Sequence, residues 1–211
     1  MANTLFVCSL PIGNDLDVSQ RVLECLKTIS FIACEDTRVT QQLLKRLNIF
    51  DQQTLFRMDQ FQEKRSFGLF ARYISEHDVA FVSDAGTPCI SDPGALLVDY
   101  CIHHNISVEV LPGASAITAF ISGAGYQISD FYFGGFMPRK KTEIKASLNH
   151  CISFSVNGIW YESPKRILDT VEIISGYFPD IHLICAKELT KPYETYFRGS
   201  AKDVYQLILS A

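Results

Sequence analysis

Short apolar runs alternate with longer amphipathic segments over the first half of the chain. Between the apolar runs, apolar residues recur every three or four positions, which is the spacing of one face of a helix. The apolar runs predict buried strands at Thr4–Leu10, Phe31–Cys34, Thr54–Phe56, Val79–Val82 and Ile106–Leu111. The amphipathic segments predict helices at Leu16–Ile29, Thr37–Leu47, Phe61–His77 and Gly94–His104. This alternation favours a parallel sheet covered by helices on both faces.

A second alternation follows Leu111-Pro112-Gly113, which is the best candidate for a domain boundary. Its apolar runs predict strands at Phe131–Phe133, Gly158–Tyr161, His182–Ala186 and Glu194–Phe197. The helices predicted here are Ser115–Ser122, Pro164–Ser175 and Ala201–Leu209. We therefore expect two α/β lobes, an N-terminal lobe at residues 1–111 and a C-terminal lobe at residues 114–211.

Composition is that of a globular protein and excludes several other classes. Of the 211 residues, 47% are hydrophobic, which is enough for a substantial core in one large or two smaller domains. No apolar run is long enough to span a membrane, and the amino terminus lacks the basic region of a signal peptide. The seven cysteines are scattered singly, which is typical of a reducing cytoplasm and disfavours a disulfide scaffold or a zinc site. The net charge of −4 provides no general attraction to nucleic acid, so any RNA contact needs a local basic patch.

The stretch Phe81–Gly94 (FVSDAGTPCISDPG) is the strongest functional signal in the sequence. It follows a buried strand, and ligands of α/β proteins bind where strands deliver loops at their carboxyl ends. It holds two carboxylates, Asp84 and Asp92, and is longer than an ordinary connection of about 2–6 residues. The structural alternative is a turn in which Ser91 or Asp92 caps the next helix. The length of the stretch favours a ligand-binding loop.

Two further polar segments follow predicted strands, Pro11–Asn14 (PIGN) and Glu35–Arg38 (EDTR). Because the carboxyl ends of parallel strands meet at one edge of a sheet, we expect both segments to converge with Phe81–Gly94. PIGN lacks the G-x-G-x-x-G of a dinucleotide-binding loop, and Asp15 would repel a phosphate there. EDTR is explained equally well by Thr37 capping a helix and by a polar cluster that binds a ligand.

Seven segments, taken in chain order, resemble the ribosomal small subunit methyltransferase I family of the tetrapyrrole methylase superfamily. They are LPIGN, ACEDTR, FVSDAGTPCISDPG, LPGASA, GGFMPRKK, YESPKR and AKELTK. The resemblance implies two α/β lobes, with a parallel sheet in the N-terminal lobe and a mixed sheet in the C-terminal lobe. It also implies a homodimer that uses S-adenosylmethionine to methylate a cytidine ribose 2′-hydroxyl in 16S rRNA of the small ribosomal subunit, with neither a membrane nor DNA as partner.

The resemblance also implies roles for particular residues. The cofactor-binding residues would be Pro11, Asp84, Ala85, Thr87, Ile90, Ser115, Ala116, Phe136, Met137, Glu162 and Leu189. A 2′-hydroxyl must lose its proton when it attacks, so a positioned base would help, and the candidates are Glu35 and Asp36, with Arg38 holding a flanking phosphate. The residues of the RNA footprint would be Arg139, Lys140, Lys141, Lys165 and Arg166. Without the resemblance, these basic residues would be interpreted as a solvated face.

Some positions depart from the family pattern. Leu10 replaces a small polar residue, Lys165 a histidine and Lys187 an arginine. Relatives continue past the position of Ala211, so we expect the C-terminal lobe to be shortened by a strand. Two other functions remain open from the sequence, a methyltransferase of the same fold acting on a tetrapyrrole and a protein that binds cofactor or RNA without turnover.

Overall fold

The computed structural model describes residues 3–58 and 63–211. The chain divides into two compact units, of which the first ends at Ala116 and the second begins at Ile117. Each unit has hydrophobic core clusters of its own. Among the described residues, no helix has the length and apolar character needed to cross a membrane.

The first unit is built from alternating strands and helices. Its strands are β1 (Thr4–Cys8), β2 (Phe31–Cys34), β3 (Thr54–Arg57), β4 (Val79–Val82) and β5 (Ser107–Leu111). Its helices are α1 (Gln20–Thr28), α2 (Thr37–Arg46), α3 (Glu63–Glu76) and α4 (Ala95–His103). Every predicted strand and helix of this unit is confirmed, although the predicted start of α3 at Phe61 lies outside the described residues.

The five strands form one parallel sheet in the order β3-β2-β4-β1-β5. All four residues of β4 are buried because the strand lies at the centre of the sheet. One core cluster includes Val22 and Leu44 from α1 and α2, and another includes Phe70 and Leu97 from α3 and α4. Since all the strands are parallel, their carboxyl ends lie at one edge, and the loops after β1, β2, β4 and β5 leave from it.

Helix boundaries differ from the predicted ones for local reasons. Helix α1 begins at Gln20 with Ser19 as its cap, whereas the predicted start, Leu16, is 90% exposed in a short 3₁₀ turn. The cap of α2 is Asp36 and not Thr37, because the Asp36 carboxylate accepts a hydrogen bond from the Arg38 backbone N–H. The disfavoured alternative for the loop before α4, in which Ser91 or Asp92 caps that helix, does not hold, since the helix is preceded by Gly94 and has no side-chain cap.

The second unit contains both parallel and antiparallel strand pairs. Its helices are α5 (Ala116–Gly123, starting at the last residue of the first unit), α6 (Lys141–Ser153), α7 (Ile167–Tyr177) and α8 (Ala201–Leu209). Strands β6 (Phe131–Phe136) and β7 (Asn157–Tyr161) pair in parallel, and β8 (His182–Lys187) and β9 (Thr195–Ser200) pair antiparallel. The predicted α/β class is confirmed, with both strand directions present in this unit as two separate pairs. Helix α6 was missed, and α7 begins at Ile167 rather than Pro164.

Candidate functional site

The loops after β1 and β4 are joined by their backbones. Leu10 and Gly86 exchange two hydrogen bonds, with N···O distances of 2.9 and 3.0 Å. Gly86 has a φ of +74°, and a Cβ there would lie 3.2 Å from Cγ2 of Ile12. Because a side chain is disfavoured by both the φ angle and the space, this position favours glycine. The pairing holds Pro11, a predicted cofactor-binding residue, beside the Asp84–Thr87 segment.

A chain of hydroxyl contacts adds the loop after β5. The Ser9 hydroxyl donates to the Thr87 hydroxyl at 3.1 Å, and Thr87 donates to the Ala114 carbonyl at 3.0 Å. Gly113 packs so closely that a Cβ on it would lie 2.9 Å from the Ser9 Cβ. These contacts bring the loops carrying Pro11, Thr87 and Ser115 to one sheet edge. Sequence reasoning missed Ser9, whose only signal was a polar residue inside the apolar run Thr4–Leu10.

The loop after β4 has an unusual backbone. Cys89 and Ser91 have φ angles of +69° and +62°, although neither is glycine. Such residues cost about 1–3 kcal/mol each and concentrate at functional sites. Gly94 ends the loop with a φ of +126°, and a Cβ there would overlap the Phe81 ring. The loop therefore has a constrained shape in which Ile90, a predicted cofactor contact, lies between the two strained residues.

Carboxylates accumulate at this edge. Burial raises the pKa of Glu35, Asp84 and Asp92, and the negative charge of Asp84 adds to the increase at the other two. Arg57 lowers the pKa of Glu35 and Asp84 by a smaller amount. Asp84 also accepts a hydrogen bond from the Asp36 backbone N–H at 3.1 Å. The raised pKa values show that the negative charges here are incompletely compensated, so the edge suits a cation or hydroxyl donors better than a phosphate.

Asp36 lies next to these carboxylates but is fully engaged. It accepts hydrogen bonds from the Arg38 backbone and guanidinium, at 2.8 Å from N, 3.1 Å from Nε and 2.7 Å from Nη2. These bonds hold the pKa of Asp36 well below its usual range. The Arg38 side chain is itself 84% exposed. Asp36 and Arg38 therefore form a closed pair at the start of α2.

In the second unit, Glu162 belongs to an internal network. Its side chain is 7% exposed and pairs with Arg166 at 3.1 Å. It also accepts from the Ser163 N–H at 2.7 Å and from the Thr170 hydroxyl at 2.6 Å. Arg166 in turn donates to the Met137 and Pro138 carbonyls, at 3.2 and 2.8 Å. Glu162 and Arg166 thus hold the turn after β6 against the start of α7. The sequence had predicted that Glu162 binds the cofactor and that Arg166 binds RNA.

The remaining predicted residues of this unit differ in exposure. Met137 lies in the hydrophobic core, whereas Phe136 just before it is exposed. Apart from Arg166, every basic residue of the predicted RNA footprint is exposed. These residues are Arg139, Lys140, Lys141 and Lys165. Lys140 forms an ion pair with Glu143 at 3.0 Å.

The loop after β8 carries Leu189 between two strained residues. Glu188 and Thr190 have φ angles of +55° and +65°. The Thr190 N–H donates to the Glu194 carboxylate at 2.6 Å, while its buried hydroxyl oxygen has no hydrogen-bond partner within the described part of the chain. In residues 3–58 and 63–211, no three His, Cys, Asp or Glu side chains form a group able to hold a metal ion.

The chain is similar to known proteins over nearly its whole length. Residues 4–205 match the family model described as Tetrapyrrole (Corrin/Porphyrin) Methylases. A protein of Hydrogenobaculum sp. (strain Y04AAS1), "Ribosomal RNA small subunit methyltransferase I", is 45% identical over 96% of this chain and 87% of its own length. A protein of the same name from Mesomycoplasma conjunctivae is 38% identical over 97% of this chain and 85% of its own length.

Solved structures with the same fold are much more distant in sequence. A diphthine synthase superimposes with a TM-score of 0.77 at 14% identity, covering 97% of this chain and 84% of that one. The methyltransferase CobJ superimposes with a TM-score of 0.68 at 18% identity, covering 95% of this chain and 87% of that one. At these identities the similarity establishes the fold alone.

Proposed function

Because the chain belongs to the tetrapyrrole (corrin/porphyrin) methylase family, we propose that it methylates a cytidine ribose 2′-hydroxyl in 16S rRNA with S-adenosylmethionine as donor. The observation that carries the proposal is the similarity to proteins named ribosomal RNA small subunit methyltransferase I, at 45% identity over 96% of the chain. The matched length includes all the loops at the carboxyl edge of the parallel sheet. We propose that the active protein is a homodimer.

The residues at this edge fit the proposed cofactor. S-adenosylmethionine carries a sulfonium and an ammonium against one carboxylate, so it is a net cation. Glu35, Asp84 and Asp92 have raised pKa values, and a cation beside them would favour their charged forms. When bound, the cofactor supplies an electrophilic methyl group. The residues assigned to hold it in the first unit are Pro11, Asp84, Ala85, Thr87, Ile90, Ser115 and Ala116.

Asp84 is assigned to the ammonium or ribose of the cofactor rather than to its sulfur. The positive charge on sulfur disperses as the methyl group leaves. A carboxylate against the sulfur would therefore stabilise the ground state more than the transition state. Asp84 is also anchored by the Asp36 backbone N–H, which fixes the direction of the carboxylate. Its role is binding, which leaves the proton transfer to another group.

Of the two residues that the sequence offers as the general base, Glu35 is the better candidate. Asp36 accepts three hydrogen bonds from Arg38, and these bonds lower its pKa and hence its basicity. Burial raises the pKa of Glu35, which brings it closer to the value that favours proton transfer at neutral pH. We therefore assign proton removal from the 2′-hydroxyl to Glu35, and the ordering of the start of α2 to Asp36 and Arg38.

The exposed basic side chains of Arg139, Lys140, Lys141 and Lys165 supply a local footprint for rRNA phosphates. The net charge of −4 makes such a local patch necessary. Arg166 is assigned a different part, since its guanidinium is bonded to Glu162 and to the Met137 and Pro138 carbonyls. It holds the turn from which Arg139 and Lys140 project.

The proposal is tested with purified protein, tritiated S-adenosylmethionine and small ribosomal subunits that lack the modification. Label in the rRNA, mapped to a cytidine 2′-oxygen, is the expected result. Glu35→Gln should lower the methylation rate by a larger factor than it weakens cofactor binding, and Asp36→Asn serves as the matched variant with the smaller loss of rate. Tight cofactor binding without label in rRNA would contradict the proposal and favour a binding protein. Label that appears only in a parallel reaction containing a tetrapyrrole would indicate the small-molecule enzyme.

A further inference from the structure

Two cysteine thiols of the first unit lie in contact. Cys8 is the last residue of β1 and Cys25 lies on α1, and their Sγ atoms are 3.9 Å apart. Both are free thiols. A disulfide has an S–S length of about 2.05 Å, so the two sulfurs would have to approach by about 2 Å. The sequence, with its singly scattered cysteines, carried no signal for this pair.

Only one of the two thiols borders a cavity open to small molecules. Cys25 lines a cavity of about 410 Å³ together with polar residues that include Ser30, His77 and Asp78. Cys8 is fully buried and is not among the residues that line this cavity. A water molecule occupies about 30 Å³ of liquid, so the cavity admits a molecule as small as a peroxide. The pair therefore has an accessible first thiol and a shielded second thiol.

The electrostatics of the pair support the same order of reaction. The hydrogen bond with Cys8 lowers the pKa of Cys25 by more than burial and the Glu109 and Asp78 carboxylates raise it, which favours a thiolate there. The same contact, together with burial, raises the pKa of Cys8, which therefore keeps its proton. The thiolate is the reactive form of cysteine, so Cys25 is the nucleophile of the two.

We propose that Cys8 and Cys25 form a reversible disulfide when the protein meets a hydroperoxide. The Cys25 thiolate attacks one peroxide oxygen, the O–O bond breaks, and Cys25 becomes a sulfenic acid while the other oxygen leaves as hydroxide or alkoxide. The Cys8 sulfur then attacks the Cys25 sulfur, the S–O bond breaks, and the hydroxyl leaves with the Cys8 proton as water. The two thiols are oxidised by two electrons in total and the peroxide is reduced. An added dithiol reverses the change by exchange.

The test is a peptide map of the whole protein before and after oxidation. Reduced protein is treated with hydrogen peroxide, alkylated in denaturant and digested with trypsin, which cuts at Arg21 between the two cysteines. The expected product is the peptide Val22–Lys27 joined to the peptide that ends at Arg21, lighter than the sum of the two by two hydrogen atoms. Dithiothreitol should restore both free peptides.

Two variants sharpen the test. In Cys8→Ser, the second thiol is gone, so dimedone should trap Cys25 as a sulfenic acid that does not accumulate in the parent. Cys151→Ser removes a buried thiol of the other unit and should form the same joined peptides as the parent. The proposal is overturned if no joined peptides form while the exposed Cys89 is oxidised, or if Cys25 in Cys8→Ser gives no dimedone adduct.

Discussion

Acidic side chains follow strands in both units, but their surroundings are opposite. In the first unit, Glu35, Asp84 and Asp92 lie partly buried beside one another, and their pKa values are raised. In the second unit, Glu162 is paired with Arg166 and also accepts from the Ser163 N–H and the Thr170 hydroxyl.

The contrast separates binding from architecture. Carboxylates whose charged forms are disfavoured in the folded protein reduce its stability at neutral pH, and a bound cation would offset that cost. Carboxylates whose partners all come from their own unit hold the chain together. We therefore expect substitutions in the first group to alter ligand binding more than folding, and substitutions of Glu162 to do the reverse.

The largest effect is expected from Glu162→Ala. Removal of the carboxylate leaves the Arg166 guanidinium, whose side chain is 29% exposed, without its acidic partner. We expect the free energy of unfolding to fall by about 2–4 kcal/mol, somewhat less than for a fully buried pair. Urea denaturation followed by fluorescence of Trp160, the single tryptophan and a residue of this unit, measures it.

The matched variant for this comparison is Glu35→Ala in the first unit. The folded protein disfavours the charged form of the Glu35 carboxylate. Removal of this side chain should therefore change the free energy of unfolding by less than about 1 kcal/mol. Equal losses of stability in Glu162→Ala and Glu35→Ala would break the distinction between the two groups.

A smaller effect is expected on ligand affinity from Asp84→Asn. The amide oxygen can still accept the hydrogen bond from the Asp36 N–H, so the free energy of unfolding should stay close to that of the parent. Loss of the charge should weaken S-adenosylmethionine binding by about 10–100-fold, the equivalent of about 1.5–3 kcal/mol for a bond to a charged group. Isothermal titration calorimetry measures the dissociation constant.

Glu162→Gln provides the converse control for affinity. It keeps the size and one acceptor oxygen of Glu162, and we expect its cofactor affinity to stay near the parent value while its stability falls. If Asp84→Asn bound the cofactor as tightly as the parent, the carboxylate cluster would have no part in cofactor binding.

The location of the first unit's carboxylates, Glu35, Asp84 and Asp92, could be predicted from the sequence, whereas the contacts around them could not. The alternation of strands and helices places Glu35 and Asp84 at one edge because parallel strands share a direction. The bonds from Ser9 through Thr87 to Ala114 join three loops, and their geometry depends on backbone paths that no local pattern records.

In the second unit, local residue patterns did not predict the contacts of Glu162 or the presence of helix α6. Glu162 and Arg166 are four residues apart across the turn before α7, and only the fold shows that the turn brings them together. Helix α6 was not predicted, although its buried residues Ile144, Leu148 and Cys151 recur at helical spacing.

The smallest expected effect concerns the pH dependence of stability in Asp92→Asn. Burial raises the folded-state pKa of Asp92 above its unfolded value, so the charged form opposes folding. The parent therefore loses stability relative to the variant as pH rises through the raised pKa, and the two should not diverge below the unfolded pKa near 3.9. At neutral pH we expect the variant to be more stable by no more than about 0.5 kcal/mol, since solvent screens this partly exposed group. Thermal unfolding across an acid-to-neutral pH series measures the difference, and a variant that becomes less stable than the parent as pH rises would show that Asp92 is a stabilising partner like Glu162.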